Sequence, residues 1–188
     1  MPELIGALAG AMGEHLPGPY VLFGHSMGAL VAFELARELR RRGRKLPDLL
    51  IVSGRRAPDI RPHEAPLHVL PDQDFVAAIQ SRYGGIPKAI LDEPELMALF
   101  LPTLRADFAV FETYRFEPEP QLPCRLAFYG GSHDPQSEPA ASDGWFDLVS
   151  GPTSRRIFPG GHFYLAEQRA AVAHAIAQDT MAGVLQHG

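Results

Sequence analysis

The feature that most constrains the fold of this chain is a serine flanked by glycines. It lies between an apolar run and an amphipathic segment. The apolar run 20–23 is short and rich in aromatic and β-branched residues, which predicts a buried strand. Residues 24–28 then read Gly-His-Ser-Met-Gly, and an apolar stripe over 29–39 predicts a helix that ends in arginines before Gly43. A strand, a sharp turn and a helix in this order expose the Ser26 hydroxyl above the strand end.

Three further apolar runs predict the rest of a parallel sheet. Residues 49–53 complete a strand–helix–strand unit, which requires parallel pairing of its two strands. Residues 125–129 and 155–158 resume the sheet, and a last helix is predicted from Tyr164 to about Met181. With an amphipathic helix over 3–15, these elements predict an α/β fold in which helices flank a parallel sheet.

The gap between the second and third strands has a different character. Residues 57–123 carry proline, histidine and acidic punctuation around three helix-like pieces, 72–83, 93–100 and 103–114. No strand-like run interrupts these pieces. We therefore interpret the segment of about 58–122 as a helical insertion that caps one end of the sheet as a lid.

Composition excludes several classes of protein. The chain has 188 residues, of which 46% are apolar and 21% charged, as expected for one soluble globular domain. No apolar run approaches the ~20 residues that span a bilayer, which argues against a membrane protein. The net charge of −5 comes without a basic stripe, which argues against nucleic acid as a partner.

Cysteine and histidine spacing indicates neither a disulfide framework nor a metal site. Cys124 is the single cysteine, and no H-x-H or H-E-x-x-H spacing occurs. The first residues lack the basic region of a secretory signal. We therefore expect a cytoplasmic protein with no metal and no cofactor.

The loops after the third and fourth strands carry the partners that Ser26 needs. A serine hydroxyl is a weak nucleophile at neutral pH, so it requires a base and an acid that orients the base. Folds with this turn supply them in the order serine, acid, histidine, each after a later strand. Asp134 and His162 occupy those positions, and the N–H of Met27 is predicted to donate to an oxyanion.

Other histidines and acids are weaker candidates. His25 abuts the serine, but a sharp turn directs neighbouring side chains apart, so packing or a turn hydrogen bond is expected of it. Asp143 and Asp147 lie beyond the strand end in a helix-like stretch, which favours Asp134 as the acid. Glu112 lies in a helix of the insertion and is expected to be solvated.

Five segments taken together resemble a known family. They are GHSMGALVAFELARELRRRG, LLIVSGRRAP, LPTLRADFAVFETY, LAFYGGSHDP and FPGGHFYLAEQ. They resemble the type II thioesterases of non-ribosomal peptide and polyketide biosynthesis, which are stand-alone α/β-hydrolases, over about residues 20–168. The resemblance implies Ser26 as nucleophile, His162 as base, Asp134 as acid and Met27 as one oxyanion donor.

The resemblance also implies a substrate and a partner. The family hydrolyses acyl groups from the phosphopantetheine arms of acyl or peptidyl carrier domains, which clears stalled or wrongly primed assembly lines. On this interpretation the insertion lines an acyl tunnel, although packing is the expectation for any single residue among Phe75, Phe100, Leu101 and Phe108. The arginines at 37, 40–42 and 44 either meet an acidic carrier domain or form a solvated helix end.

This sequence departs from the family pattern before its first residue. Family members carry several dozen further residues there, including the first strands and a glycine-rich loop that completes the oxyanion hole. The expectation is therefore a single α/β-hydrolase domain over 1–188, partial at its N-terminus. Loss of one oxyanion donor costs roughly 2.7–4 kcal/mol of transition-state stabilisation. An uncovered sheet edge predicts poor folding or self-association.

Three other functions remain compatible with the residues. A carboxylesterase or lipase shares the turn and the triad, and would prefer oxygen esters. An acyltransferase of the same fold would pass the acyl group to an amine or an alcohol. A truncated, non-catalytic carrier-domain binder would bind without turnover that depends on Ser26.

Overall fold

Four parallel strands form the sheet that positions the candidate site. The computed structural model describes residues 1–12, 16, 18–60 and 65–184. Within them the strands are β1 (Val21–His25), β2 (Leu49–Ser53), β3 (Arg125–Gly131) and β4 (Thr153–Phe158), which lie in that order across the sheet. Each neighbouring pair is parallel. All four predicted strands are present, and the predicted parallel sheet flanked by helices is confirmed.

Helices connect and cover the strands. In chain order they are α1 (Pro2–Met12), α2 (Met27–Arg41), α3 (Asp72–Tyr83), α4 (Lys88–Leu91), α5 (Pro94–Glu112), α6 (Pro139–Ser142), α7 (Tyr164–Glu167) and α8 (Arg169–Val184). The predicted end of the first helix, residues 13–15, lies outside the described residues. The last predicted helix is divided into α7 and α8.

Alternation along the strands builds a core on each face of the sheet. Leu50 belongs to one cluster with Phe33 of α2, against which Trp145 packs edge-on with ring centroids 5.3 Å apart. Leu49 belongs to a second cluster, on the other face, with Val172 of α8. Because both faces of β2 are buried, its sequence is a continuous apolar run rather than an alternating one.

The chain divides into two compact units. One comprises Met1–Ile60 and Phe116–Gly188, and the other is Arg61–Arg115, which lies inside the predicted insertion. The second unit has its own apolar core, in which the rings of Phe75 and Phe108 meet edge to face at 5.3 Å. These two residues therefore pack as core, as expected. The role of this unit as a lid stays a prediction.

Helix α5 corrects the predicted division of the insertion. The pieces 93–100 and 103–114 were expected as separate helices, but α5 runs through Pro102 without a break. A proline inside a helix removes one hydrogen bond to the carbonyl four residues back. Leu101, Leu104 and Phe108 all pack on the core of this unit, and their burial on both sides of Pro102 offsets that loss.

Two polar side chains of the second unit, Glu112 and Arg105, form hydrogen bonds with main-chain groups of the same unit. Glu112 accepts hydrogen bonds from the N–H groups of Leu67 and His68, at 2.8 and 3.0 Å, and contacts Nδ1 of His68 at 2.6 Å. Arg105 donates to the carbonyls of His68 and Leu70 at 2.6 and 2.7 Å. The expectation that Glu112 is solvated is wrong, because its carboxylate accepts hydrogen bonds from the main-chain N–H groups of Leu67 and His68.

β1 lies at one edge of the sheet. Among the described residues it pairs with β2 alone, and Phe23 in its middle is 39% exposed.

No described helix combines the length and the apolar character needed to cross a bilayer.

Candidate active site

Ser26 lies in a strained turn between β1 and α2. It is the single non-glycine residue with positive φ in the described part of the chain, at 54°. Its N–H donates to the carbonyl of Ser53 at 2.8 Å, which ties the turn to β2. A Cβ at Gly24 would lie 2.0 Å from the carbonyl oxygen of Gly28, so only glycine allows the chain to double back this closely. The turn is therefore built to hold Ser26 in a conformation that other residues avoid.

A chain of hydrogen bonds joins Ser26 to His162 and Asp134. The Oγ of Ser26 lies 3.0 Å from Nε2 of His162, and Nδ1 of His162 lies 2.9 Å from Oδ2 of Asp134. Asp134 and His162 are only 4% and 8% exposed, whereas Ser26 is half-buried. The structure thus brings together the three residues that the sequence predicts, with the serine at the accessible end.

Backbone contacts hold the two loops that carry Asp134 and His162. The N–H of His133 donates to the carbonyl of Gly160 at 2.9 Å. A Cβ at Gly131 would lie 2.4 Å from the carbonyl oxygen of Gly161, so glycine is required for this approach. The second carboxylate oxygen of Asp134 accepts the N–H of Gln136 at 3.0 Å. Both oxygens of Asp134 are therefore occupied, and its carboxylate plane is fixed.

The start of α2 supplies an electropositive surface beside Ser26. Ser26 is the cap residue of α2, yet its side chain makes no capping bond and is directed to His162 instead. Met27 is the first residue of the helix, and the N–H groups of a first turn have no partner within their helix. The helix dipole adds partial positive charge at the same point. An oxyanion formed on a substrate at Ser26 would be stabilised here.

Comparison with known proteins assigns the family. Residues 1–180 match the Thioesterase family, described as a thioesterase domain. The chain belongs to the thioesterase family. The expected resemblance is therefore confirmed, because the match covers nearly the whole chain. A parallel sheet with a serine turn also occurs in other hydrolases, so this match and not the fold alone decides the assignment.

Two named relatives of this thioesterase-family chain are a biosynthesis protein and a thioesterase. Gramicidin S biosynthesis protein GrsT of Aneurinibacillus migulanus is 36% identical over 151 residues, covering 80% of this chain and 59% of GrsT. Thioesterase PikA5 of Streptomyces venezuelae is 40% identical over 160 residues, covering 85% of this chain and 56% of PikA5. The chain thus spans less than two thirds of the length of these relatives.

The fold agrees with a solved thioesterase. The type II thioesterase BorB from the borrelidin biosynthetic cluster superposes with a TM-score of 0.82 at 36% identity. The alignment covers 95% of this chain and 72% of BorB. The α/β-hydrolase arrangement expected for the chain is therefore that of a known thioesterase.

His25 of this thioesterase-family site packs and forms a hydrogen bond, as expected, but the sequence did not predict that it packs against His162. Its Nδ1 lies 2.9 Å from Oγ of Ser53, and its ring centroid lies 5.0 Å from that of His162. Burial and, to a smaller extent, the neighbouring His162 lower the pKa of His25 from 6.5 to about 4. The available signal was strand register, since His25 and Ser53 end two adjacent parallel strands and stand opposite each other.

The rival acids lie elsewhere. Asp143 is exposed and pairs with Arg155, and the side chain of Asp147 is exposed. Both follow β3 by a longer path than Asp134 does. No group of three or more histidine, cysteine, aspartate or glutamate side chains in the described ranges is arranged to hold a metal ion.

The arginines at the end of α2 are engaged within the chain. Arg37, Arg40 and Arg41 each contact Glu119, at 2.7, 2.5 and 2.6 Å, and Arg41 and Arg42 contact Glu38. The hydrogen bonds from Arg41 and Arg42 hold the pKa of Glu38 below its usual range. This network ties α2 to the segment that precedes β3. It does not favour the hypothesis that these arginines dock a carrier domain.

Proposed function

We propose that this chain is a serine hydrolase that removes acyl groups from phosphopantetheine thioesters on acyl or peptidyl carrier domains of peptide or polyketide assembly lines. The observation that carries the proposal is the hydrogen-bonded series Ser26–His162–Asp134 at a helix N-terminus. Membership of the thioesterase family supports the thioester as substrate. The relative GrsT, named for gramicidin S biosynthesis, and the solved structure of BorB, from the borrelidin biosynthetic cluster, support the biosynthetic setting.

In the first half of the proposed reaction, Ser26 is acylated. Its Oγ attacks the thioester carbonyl while Nε2 of His162 accepts the hydroxyl proton. Asp134 holds His162 in the tautomer with its proton on Nδ1 and stabilises the imidazolium that forms. The oxyanion of the tetrahedral intermediate accepts the N–H of Met27. The carbon–sulfur bond then breaks, and His162 returns the proton to the departing pantetheine thiolate.

In the second half, water hydrolyses the acyl-serine. His162 accepts a proton from the water as its oxygen attacks the ester carbonyl. The ester bond to Ser26 then breaks, and the proton passes from His162 to Oγ of Ser26. The products are the free acid and the unchanged enzyme, so no external reagent other than water is consumed. The Met27 N–H donor and the positive end of the α2 dipole face the oxyanion in both halves.

A cytoplasmic site of action belongs to the same proposal. The chain has a single cysteine, Cys124, which is buried and free. Burial raises the pKa of its thiol to about 11, so the thiol stays protonated and unreactive at neutral pH. A reducing compartment suits a protein without disulfide stabilisation.

The test is release of free thiol from acyl-pantetheine and from acylated carrier domains. We expect turnover by the wild-type chain, a loss on the order of a thousandfold or more in Ser26→Ala and His162→Gln, and no loss in the exposed His174→Gln control. Faster cleavage of matched oxygen esters would favour a carboxylesterase, and acyl transfer to an added amine or alcohol would favour an acyltransferase. Carrier binding without turnover that depends on Ser26 would overturn the proposal.

A further inference from the structure

A second hydrogen-bonded series lies directly behind the first. The hydroxyl of Tyr164 lies 2.7 Å from Oγ of Ser53, and Oγ of Ser53 lies 2.9 Å from Nδ1 of His25. Tyr164 and Ser53 are fully buried, and His25 is half-buried. The proposed mechanism uses none of these three side chains. Burial of polar side chains costs free energy unless they are hydrogen-bonded. Three such side chains joined in one buried place therefore indicate a functional role.

The network ends against His162. The ring of His25 packs 5.0 Å from the ring of His162 and 6.0 Å from that of Phe163, measured between centroids. The main chain of His162 faces the His25 ring and favours its protonated form. Nε2 of His25 is buried and makes no hydrogen bond of ordinary geometry with the described residues. Because Nδ1 of His25 faces Ser53, the Nε2 side of the ring is the one that faces the main chain of His162.

The protonation states of the series follow from its surroundings. Burial raises the pKa of Tyr164 and lowers that of His25, so both are neutral at pH 7. The charged or titratable groups that face His25 are His162, Asp134 and Tyr164. If Tyr164 donates to Ser53 and Ser53 donates to Nδ1 of His25, the single ring proton of His25 lies on Nε2. That proton then points toward the main chain of His162.

We propose that His25, oriented by Ser53 and Tyr164, is a positioning residue that holds the His162 loop so that its imidazole stays aligned between Asp134 and Ser26. This inference rests on the proposed hydrolase function for its kinetic readout. Hydrogen bonds to Asp134 and Ser26 fix the two nitrogens of His162, but neither bond sets the position of the main chain that carries the ring. The His25 ring, tilted by 43° against the ring of His162, and its Nε2 proton, on the side of the His162 main chain, supply a further support.

The central test compares two substitutions of His25. His25→Phe keeps an aromatic ring but removes both nitrogens, whereas His25→Gln keeps an N–H donor near the position of Nε2. We expect His25→Phe to lower kcat about tenfold, because small displacements of a base are costly, while His25→Gln stays within about threefold of wild type. His174→Gln, an exposed histidine on α8, is the matched control. Equal activity of the Phe and Gln variants would overturn the proposal.

The pH profile separates positioning from general damage. A looser contact between His162 and Asp134 stabilises the imidazolium less, so the acid limb of kcat/KM should move to lower pH in His25→Phe and return in His25→Gln. A merely structural role would lower activity together with thermal stability and leave the limb in place. That result would overturn the inference.

Tyr164→Phe tests the network from its far end. The Tyr164 ring stacks on Phe158, with centroids 5.2 Å apart, and the substitution removes only the hydroxyl. We expect a two- to threefold loss of kcat and a shift of the acid limb in the same direction as in His25→Phe, because one orienting bond is lost. Wild-type kinetics in a folded Tyr164→Phe would overturn the role of the series.

Two readouts do not depend on thioester turnover. A fluorophosphonate that labels Ser26 reports alignment of Ser26 with His162, and the downfield proton resonance of His162 Nδ1–H reports its bond to Asp134. His25→Phe should slow labelling about tenfold and broaden or shift that resonance. A wild-type chain that is labelled but hydrolyses no thioester would refute the proposed function and leave this inference standing. Unchanged labelling and an unchanged resonance in His25→Phe would refute the inference alone.

Discussion

At the scale of single residues, the candidate site depends on one strained conformation. The positive φ of Ser26, 54°, costs roughly 1–3 kcal/mol in a residue with a side chain. The hydrogen bond from its N–H to Ser53 and the close approach that Gly24 permits hold the turn in place. The two glycines that flank the serine in sequence are not equivalent, however. A Cβ at Gly28 would meet no heavy atom within 4 Å in the described part of the chain.

This difference gives a matched pair of variants. Gly24→Ala should destabilise the fold by at least about 3 kcal/mol, because its Cβ would overlap the backbone of the following helix. Gly28→Ala should leave stability within about 1 kcal/mol of wild type or raise it, because alanine favours the helix and meets no neighbour. Urea unfolding monitored by circular dichroism measures both. Equal stability of the two variants would show that Gly24 is not required by the close approach.

His25 makes stability depend on pH. Its native pKa of about 4 lies below its ordinary value of 6.5, so the unfolded chain binds more protons between these values. The free energy of unfolding therefore falls as pH falls through that window, by roughly 3 kcal/mol between pH 7 and pH 4. His25→Gln should remove this share of the slope, and His174→Gln should keep it. Urea unfolding at a series of pH values checks the prediction, and an unchanged slope in His25→Gln would contradict it.

At the scale of elements, one carboxylate fastens α8 to the sheet. Asp179 is 7% exposed and accepts from the Tyr129 hydroxyl at 2.6 Å and from Arg156 at 2.9 and 2.5 Å. Its main-chain carbonyl accepts from Arg125 at 2.6 Å. Burial raises the pKa of Asp179, but the hydrogen bonds from Arg156 and Tyr129 outweigh it and hold the pKa below its usual value. One helix residue thus satisfies donors from β3 and β4.

Asp179→Asn should therefore loosen the C-terminal helix. The substitution leaves Arg156 without its counter-charge in a partly buried place, which costs about 3 kcal/mol. Asp147→Asn, which changes an exposed aspartate of the same unit, should cost less than about 0.5 kcal/mol. Chemical unfolding gives the free energies, and hydrogen exchange of α8 amides shows where the loss is located. Uniform exchange changes without extra opening of α8 would argue against this role.

At the scale of the whole molecule, β1 forms one edge of the sheet among the described residues. In the described ranges β1 has a paired strand on one side only, and Phe23 is exposed on it. An apolar strand with unpaired backbone groups is a template for another chain. Charged side chains suppress such pairing on natural edge strands.

We expect the 188-residue chain to self-associate as its concentration rises and Phe23→Lys to shift it toward monomer. Leu99→Lys, at a residue of α5 that is 72% exposed and belongs to the second compact unit, is the matched control and should leave association unchanged. Sedimentation velocity over a concentration series measures the effect. A monodisperse wild-type monomer with a sharp cooperative melt would contradict the prediction.

Local sequence patterns predicted most of the strands and helices of the fold. The apolar run 20–23 predicted β1, observed at Val21–His25, because short buried strands between turn residues are local signals. Local reasoning failed where distant residues decide the outcome. Pro102 does not end α5, since leucines on both sides of it share one core. Glu112 is not solvated, since its partners lie more than forty residues earlier in the chain.

The sequence by itself determined the order of strands and helices, the sharp turn at Ser26, the family and the short set of residues that can do chemistry. These properties depend on neighbours within a few positions, or on motifs that recur in order along the chain. Only the tertiary structure decided which acid meets His162 and that His25 stands beside it. Ser26 and His162 are 136 positions apart, so their contact depends on how parallel strands align their ends and how closely two loops approach.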